Sequence, residues 1–255
     1  MYYHEVMSML TTLLGAGGFP SDEPLDSTKR IAQGEVGMLP SWKVGVYARA
    51  LAEVGEWERA EAVARSISDE GDSAQALNSV IECLVKAGRV DEAEAVAYSI
   101  STRASEAALI NKVLALDVVA LGYLKRGSTD RVMTILRVAE ETVRRVTRAG
   151  YVKAARLWEM AETWEGLGDR VRSLGLWHEA SAVAKESISR YRAGGQTDVD
   201  SFTVLKMIIV SVAKAGEPAL ARAVADSIDS ESFSRNVERI VGEIEQEAGK
   251  DQSGD

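Results

Sequence analysis

The sequence predicts an all-α fold: an α-α superhelix (solenoid) of about five to six antiparallel helical hairpins, with one longer irregular unit in the middle. The first observation behind it is a phrase, Ala-x-Ala-Val-Ala, that begins at Ala60, Ala93, Ala180 and Ala221, each time five residues after a glycine. The second is register: Gly55, Ala60, Val63, Ala64, Ser66 and Ile67 recur 33 positions later as Gly88, Ala93, Val96, Ala97, Ser99 and Ile100. The third is periodicity. Leu77, Val80, Ile81, Leu84 and Val85 before Gly88, and Val90, Ala93, Val96, Ala97 and Ile100 after it, each keep a helical stripe. A 33-residue period holds two short helices and two turns, and one hairpin cannot bury both of its stripes, so neighbours must stack. An ordinary helical bundle has no reason to repeat small residues in a fixed register.

Taken in order, residues 3–14 and 22–37 can each form a helix, separated by a glycine-rich turn and closed by Pro40. Residues 1–41 thus read as an irregular helical segment capping the solenoid, and residues 42–248 read as helices throughout. Within each hairpin a glycine supplies the turned backbone at the end of the first helix. The alanines that follow let two helix backbones approach at the short end of the usual range of about 8–10 Å. Asp72 with Ser73, Ser105 with Glu106, and Asp200 with Ser201 read as starts of first helices. Gly127 heads a weaker copy with Val132, Ile135 and Leu136; Gly175 heads the third full phrase, with its Ser-Ile displaced by one residue, and Gly216 the last.

The intervals between these glycines are 33, 39, 48 and 41 residues, so the stretch from Gly127 to Gly175 is expected to hold an extra or lengthened helix. Trp158 and Trp164 fall there and are expected to fill the added space or, if exposed, to anchor a partner. Residues 191–199, with Gly194 and Gly195, read as a longer loop. Val237, Ile240, Val241 and Ile244 form the stripe of the last helix, and residues 249–255 read as a disordered tail.

Composition excludes more than it specifies. The 255 residues are 46% apolar and carry a net charge of −9, which opposes a phosphate backbone as the main partner. No basic region precedes the first apolar run, which His4 and Glu5 interrupt, so a signal peptide is not expected. Asp117 and Lys206 break the two most apolar later stretches, so no membrane span is expected. The lone Cys83 allows no internal disulfide and fits a cytoplasmic protein. His4 and His178 are the only histidines and have no mapped catalytic partner; His178 reads as a surface residue at a hairpin turn and Cys83 as a small packing residue. Two histidines and one cysteine cannot build an ordinary zinc cluster, and the glycines at 15, 17 and 18 lack the lysine of a phosphate loop. The chain therefore reads as a non-enzyme with no metal and no cofactor.

Residues 82–93, running from Glu82 through Gly88 to Ala93, resemble the core of a tetratricopeptide-like repeat. In that family the first helix ends in glycine, an apolar or aromatic residue follows two positions later, and alanine follows at five. Trp57, Val90 and Trp177 occupy the apolar position in their units, whereas Thr129 and Pro218 depart from it. The resemblance implies helix-turn-helix units that bind proteins along a concave groove lined by first helices. It points to Arg49, Asn78, Glu82, Lys86, Asp117, Lys206 and Lys214 as groove residues. The family's binders of chain-terminal carboxylates use two asparagines from adjacent repeats with a basic residue, and Asn78 is the one found here. Residues 78–93 also resemble a pentatricopeptide repeat, which implies single-stranded RNA binding with Asn78 as a base-reading residue. Gly45 and Lys206 fill the matching position in other units, and Asp117 is the only other candidate.

Charge is uneven. Residues 125–156 hold nine basic residues against three acidic ones, whereas residues 53–72 hold seven acidic residues and two arginines. Lys125, Arg126, Arg137, Arg144, Arg148 and Lys153 form a candidate partner-binding patch, with Arg137, Arg144 and Arg148 on one helical face by their spacing. A solvated arginine face, partly neutralised by Glu141, is the competing account. The functional reading is a noncatalytic scaffold that binds another protein or peptide, acidic ones included, through the concave face and the basic middle. Nucleic-acid binding through residues 125–156 is the alternative, and self-association through the N-terminal end stays open.

Overall fold

The computed structural model describes residues 40–251, apart from residues 104, 149, 195–198, 227 and 229–230. The helices and glycine-rich turn expected within residues 1–39, and residues 252–255 of the tail expected over 249–255, lie outside the described residues; residues 249–251 instead continue the last helix, which runs to Asp251. Every described element is an α-helix, eleven in all, and they form two compact units divided in sequence between Arg126 and Gly127.

The first unit contains α1 (Ser41–Glu53), α2 (Trp57–Arg65), α3 (Glu70–Lys86), α4 (Val90–Ser99) and α5 (Glu106–Lys125). The start of α3 lies a turn earlier than Asp72 and Ser73 suggest, because the Asp69 carboxylate accepts the Asp72 backbone N–H at 2.9 Å and caps the helix there. Ser105 caps α5 in the same way, accepting from the Ala108 N–H at 3.3 Å. At the end of α3, Gly88 adopts φ 78°. That left-handed residue lets the Gly88 N–H reach the Val85 carbonyl at 3.0 Å and the Arg89 N–H reach the Leu84 carbonyl at 2.9 Å, which satisfies two end carbonyls. The chain then enters α4, with the Ala93 N–H on the Arg89 carbonyl at 3.0 Å.

The repeated phrase is the buried side of the second helices: Ala60, Ala64, Ala93 and Ala97 are fully buried. Its Ser-Ile ending closes them. Ser66 and Ser99 each donate a hydroxyl back to the carbonyl three residues earlier at 2.6 Å, and Ile67 and Ile100 turn into the core. The central helix α3 packs on α1, α2, α4 and α5, so each first helix supports both its own hairpin and the next, as stacked repeats require. Among the described residues α5 alone is long and apolar enough to cross a membrane by length and composition. Its apolarity has a local use, since Val113, Leu116 and Val119 are fully buried within the unit and Asp117 lies among them in sequence.

The second unit contains α6 (Thr129–Arg144), α7 (Gly150–Gly166), α8 (Arg170–Ala193), α9 (Val199–Lys214), α10 (Pro218–Asp226) and α11 (Glu231–Asp251). Here the register differs from the sequence-based one. The turn glycine is Gly168, at φ 82°, with its N–H on the Glu165 carbonyl at 2.9 Å and the Asp169 N–H on the Trp164 carbonyl at 3.0 Å. Gly175 is an exposed residue inside α8. Five residues after Gly168 stands Ser173, fully buried, so a small serine replaces the expected alanine and the visible phrase at Ala180 lies further along the same helix. Counted from the true turns, the interval Gly127 to Gly168 is 41 residues and Gly168 to Gly216 is 48. The lengthened element is therefore α8, 24 residues long, while Trp158 and Trp164 belong to α7, an ordinary first helix of 17 residues.

Candidate functional site

Each unit carries an open groove between two consecutive first helices. In the first unit the groove lies between α1 and α3, encloses ≈ 580 Å³ and is lined by Trp42, Gly45 and Arg49 opposite Asp72, Gln75 and Ser79. In the second it lies between α7 and α9 and encloses ≈ 830 Å³. One face of α9 builds that wall: Thr203, Lys206, Met207, Val210, Ser211 and Lys214 recur at intervals of three and four residues, while Val204, Leu205, Ile208 and Ile209 on the other side are buried. The opposite wall is Trp158, Glu162 and Glu165 of α7, with the ring of Trp177 from α8 as the floor. The Trp158 indole N–H donates to Ser211 Oγ at 3.0 Å and ties the two walls together.

Electrostatically the walls differ. Lys206 and Lys214 are exposed and, among the described residues, make no ion pair or hydrogen bond, and Glu162 across from them is likewise exposed and unpaired among them. Glu165 is held by Arg170 at 3.2 Å and by the Ser173 hydroxyl. Trp177 is 1% exposed, and its indole nitrogen is buried with no acceptor among the described residues. A buried donor left unsatisfied costs about 1–3 kcal/mol, so this floor is unusual in a fold that pairs most of its polar groups.

The groove residues named from the sequence divide between the units. Lys206 and Lys214 line the second groove and Arg49 the first. Arg49 bonds Glu53 at 3.0 Å and faces Glu82 at 3.9 Å, so these side chains form a short ion network across α1 and α3. Lys86 is exposed in the last turn of α3, and Asp117 is half-buried in α5. Asn78 does not stand alone: its Nδ2 donates to Oδ1 of Asn111 at 3.0 Å. Counting back from the glycines pointed to Asp117 instead. The signal that finds Asn111 is the 33-residue offset itself, because α5 is longer than α3 and its extra residues lie between Asn111 and the turn.

The six basic-patch residues also separate. Lys125 and Arg126 belong to the first unit, where Lys125 is exposed and Arg126 bonds Asp91 at 3.3 Å and the Gly88 carbonyl. In the second unit Arg137 is exposed on α6, and Arg144 bonds Glu179 at 3.0 Å and Glu140 at 3.5 Å. Lys153 donates its ammonium to the Val146 carbonyl at 2.9 Å, beyond the end of α6. Arg148 lies past the end of that helix, which stops at Arg144, so the expected single helical face of Arg137, Arg144 and Arg148 does not form. Arg126, Arg144 and Lys153 thus work as structural ties.

The buried polar groups are structural as well. Glu140, 6% exposed, accepts from the Trp164 indole N–H at 2.7 Å and lies 4.0 Å from Arg172, whose guanidinium stacks 4.6 Å from the centre of the Trp164 ring. In the first unit the Tyr123 hydroxyl meets Asp91 and Glu94 at 2.6 Å each; burial and those two bonds push its pKa well above the ordinary range. Cys83 is buried in α3, and burial raises its thiol pKa, the opposite of nucleophile activation. His178 is exposed in the middle of α8 and not at a hairpin turn, a consequence of the turn lying at Gly168. Among the described residues no three His, Cys, Asp or Glu side chains are placed to hold a metal, and neither groove is lined by histidine or cysteine. Comparison with protein-family models, curated proteins and solved structures finds no match.

Proposed function

We propose that this protein is a noncatalytic interaction scaffold that grips a segment of another protein in the grooves between its first helices. The observation that carries this reading is the division of roles within each hairpin. Second helices turn small buried residues to the packing, Ala60, Ala93 and Ala221 among them, whereas first helices leave an open, polar-edged groove in each unit. Such grooves bury a ligand between fixed walls with few ordered side chains to rearrange, which suits binding more than chemistry. The tetratricopeptide-like reading is supported by the turn glycines and by first helices that pack on the first helices before and after them. A cytoplasmic setting, in which the single Cys83 stays reduced, belongs to the same reading.

Capture from native lysate with and without nuclease tests it. A protein retained after nuclease, and lost when Lys206 and Lys214 are changed to glutamate, is the expected result. Recovery that disappears with nuclease and with Lys125→Glu/Arg137→Glu would instead establish the nucleic-acid alternative.

A further inference from the structure

We infer that the groove between α7 and α9 takes an extended acidic peptide, reading two side-chain carboxylates four residues apart with an apolar side chain midway between them. This rests on the scaffold reading and specifies its occupant in the second unit.

The argument begins with α9. Lys206 and Lys214 are the two cations of its groove face, both exposed and neither engaged by another of the described residues. In the same unit Arg144, Arg170 and Arg222 are committed, each bonding two carboxylates. Eight residues of helix separate the two lysines by about 12 Å at a rise of about 1.5 Å per residue. An extended chain advances about 3.3 Å per residue and turns alternate side chains to the same edge, so residues i and i+4 stand about 13 Å apart on one side. Carboxylates at those positions meet both lysines. The side chain at i+2 then falls over Met207 and Val210, which stand between the lysines on the same face; Met207 is 39% exposed and Trp158 stands half-buried across from them.

Two further features favour an extended chain in one orientation. The Trp158–Ser211 bond ties the two walls at that point, which opposes their parting around a helix of about 10–12 Å diameter. Glu162 faces the lysines from α7, so an acidic edge is repelled there and turns towards α9. The residues at i+1 and i+3 face that glutamate and are expected to be neutral or basic.

The test is selection of peptides by the full chain from a library of random heptapeptides, acetylated and amidated so that no free chain terminus takes part. The expected outcome is enrichment of Asp or Glu at two positions four apart with an apolar residue between them. Affinity for the selected peptides should fall about tenfold with Lys206→Ala/Lys214→Ala and stay unchanged with Lys43→Ala/Lys185→Ala, two lysines that do not line the groove. Selected peptides without that spacing, or binding indifferent to the Lys206 and Lys214 changes, would overturn this inference and leave the scaffold reading standing. Selection of no peptide at all would remove both.

Discussion

Asn78 of α3 and Asn111 of α5 lie side by side, Nδ2 of Asn78 donating to Oδ1 of Asn111 at 3.0 Å. Their 33-residue separation is that of Gly55 and Gly88, so the pair is a rung between neighbouring repeats. The two ends of the rung are unequal. Asn111 also donates to the carbonyls of Ala107 at 3.0 Å and Gly71 at 3.3 Å, whereas Oδ1 of Asn78 is buried without a donor among the described residues. Asn111→Ala should therefore cost about 1–2 kcal/mol in urea unfolding. Asn78→Ala should cost less, because it removes an unsatisfied oxygen along with one bond. The opposite order would contradict the rung.

Trp164 and Trp177 offer a second contrast. Both are fully buried or nearly so, but the Trp164 N–H satisfies the buried Glu140 carboxylate at 2.7 Å and the Trp177 N–H has no acceptor among the described residues. Replacing either by phenylalanine removes similar volume. Trp164→Phe should destabilise the second unit by about 1–3 kcal/mol more than Trp177→Phe, since only the first leaves a buried carboxylate short of a donor. Equal losses by thermal unfolding would sink the assignment.

Tyr123 gives the first unit a pH dependence at the alkaline end. Its hydroxyl lies 2.6 Å from both the buried Glu94 carboxylate and the exposed Asp91 carboxylate and shares its proton with them, and burial with those contacts raises its pKa in the fold. In the unfolded chain the phenol ionises near pH 10, at about its ordinary value. Above that pH the unfolded state holds fewer protons than the folded one, so the contribution is intact below pH 10 and stability falls as pH rises, by up to about 1.4 kcal/mol per unit. Tyr123→Phe should be less stable than wild type at pH 7 and lose stability more slowly between pH 10 and 11. Some slope remains in the variant because burial also raises Tyr47. Parallel curves for the two proteins would refute the role given to Tyr123.

Sequence reading recovered the helical class, the hairpin turns at Gly55, Gly88, Gly127 and Gly216, and the buried side of the second helices, because each is a local consequence of spacing. It failed where two local patterns competed. The phrase at Ala180 and Gly175 looks like a hairpin start, but the backbone turns at Gly168, where Asp169 can cap α8 by accepting the Arg172 N–H at 3.1 Å. The groove face of α9 was half legible: Lys206 and Lys214 follow from counting along first helices. Glu162, Met207 and the unpaired Trp177 N–H do not, since which residues face each other across two helices depends on their packing. The shared helical face expected of Arg137, Arg144 and Arg148 failed for a related reason, because spacing alone does not reveal that the helix stops at Arg144, and charge alone does not reveal that Arg144 and Lys153 bond Glu179 and a helix end.

The position of that turn is open to a direct test by two alanines of opposite effect. Gly168 sits at φ 82°, a conformation in which a Cβ crowds the following carbonyl, so Gly168→Ala should cost about 1–2 kcal/mol although no atom beyond Gly168 itself and its two chain neighbours lies within 4 Å of the added methyl. Gly175 is an exposed residue within α8 with the same open surroundings and no positive φ. There alanine removes backbone freedom from the unfolded chain and suits a helix interior, so Gly175→Ala should stabilise the protein by about 0.5–1 kcal/mol. A register with Gly175 at the turn predicts the reverse signs, and urea midpoints of the two variants at an unchanged m value decide between them.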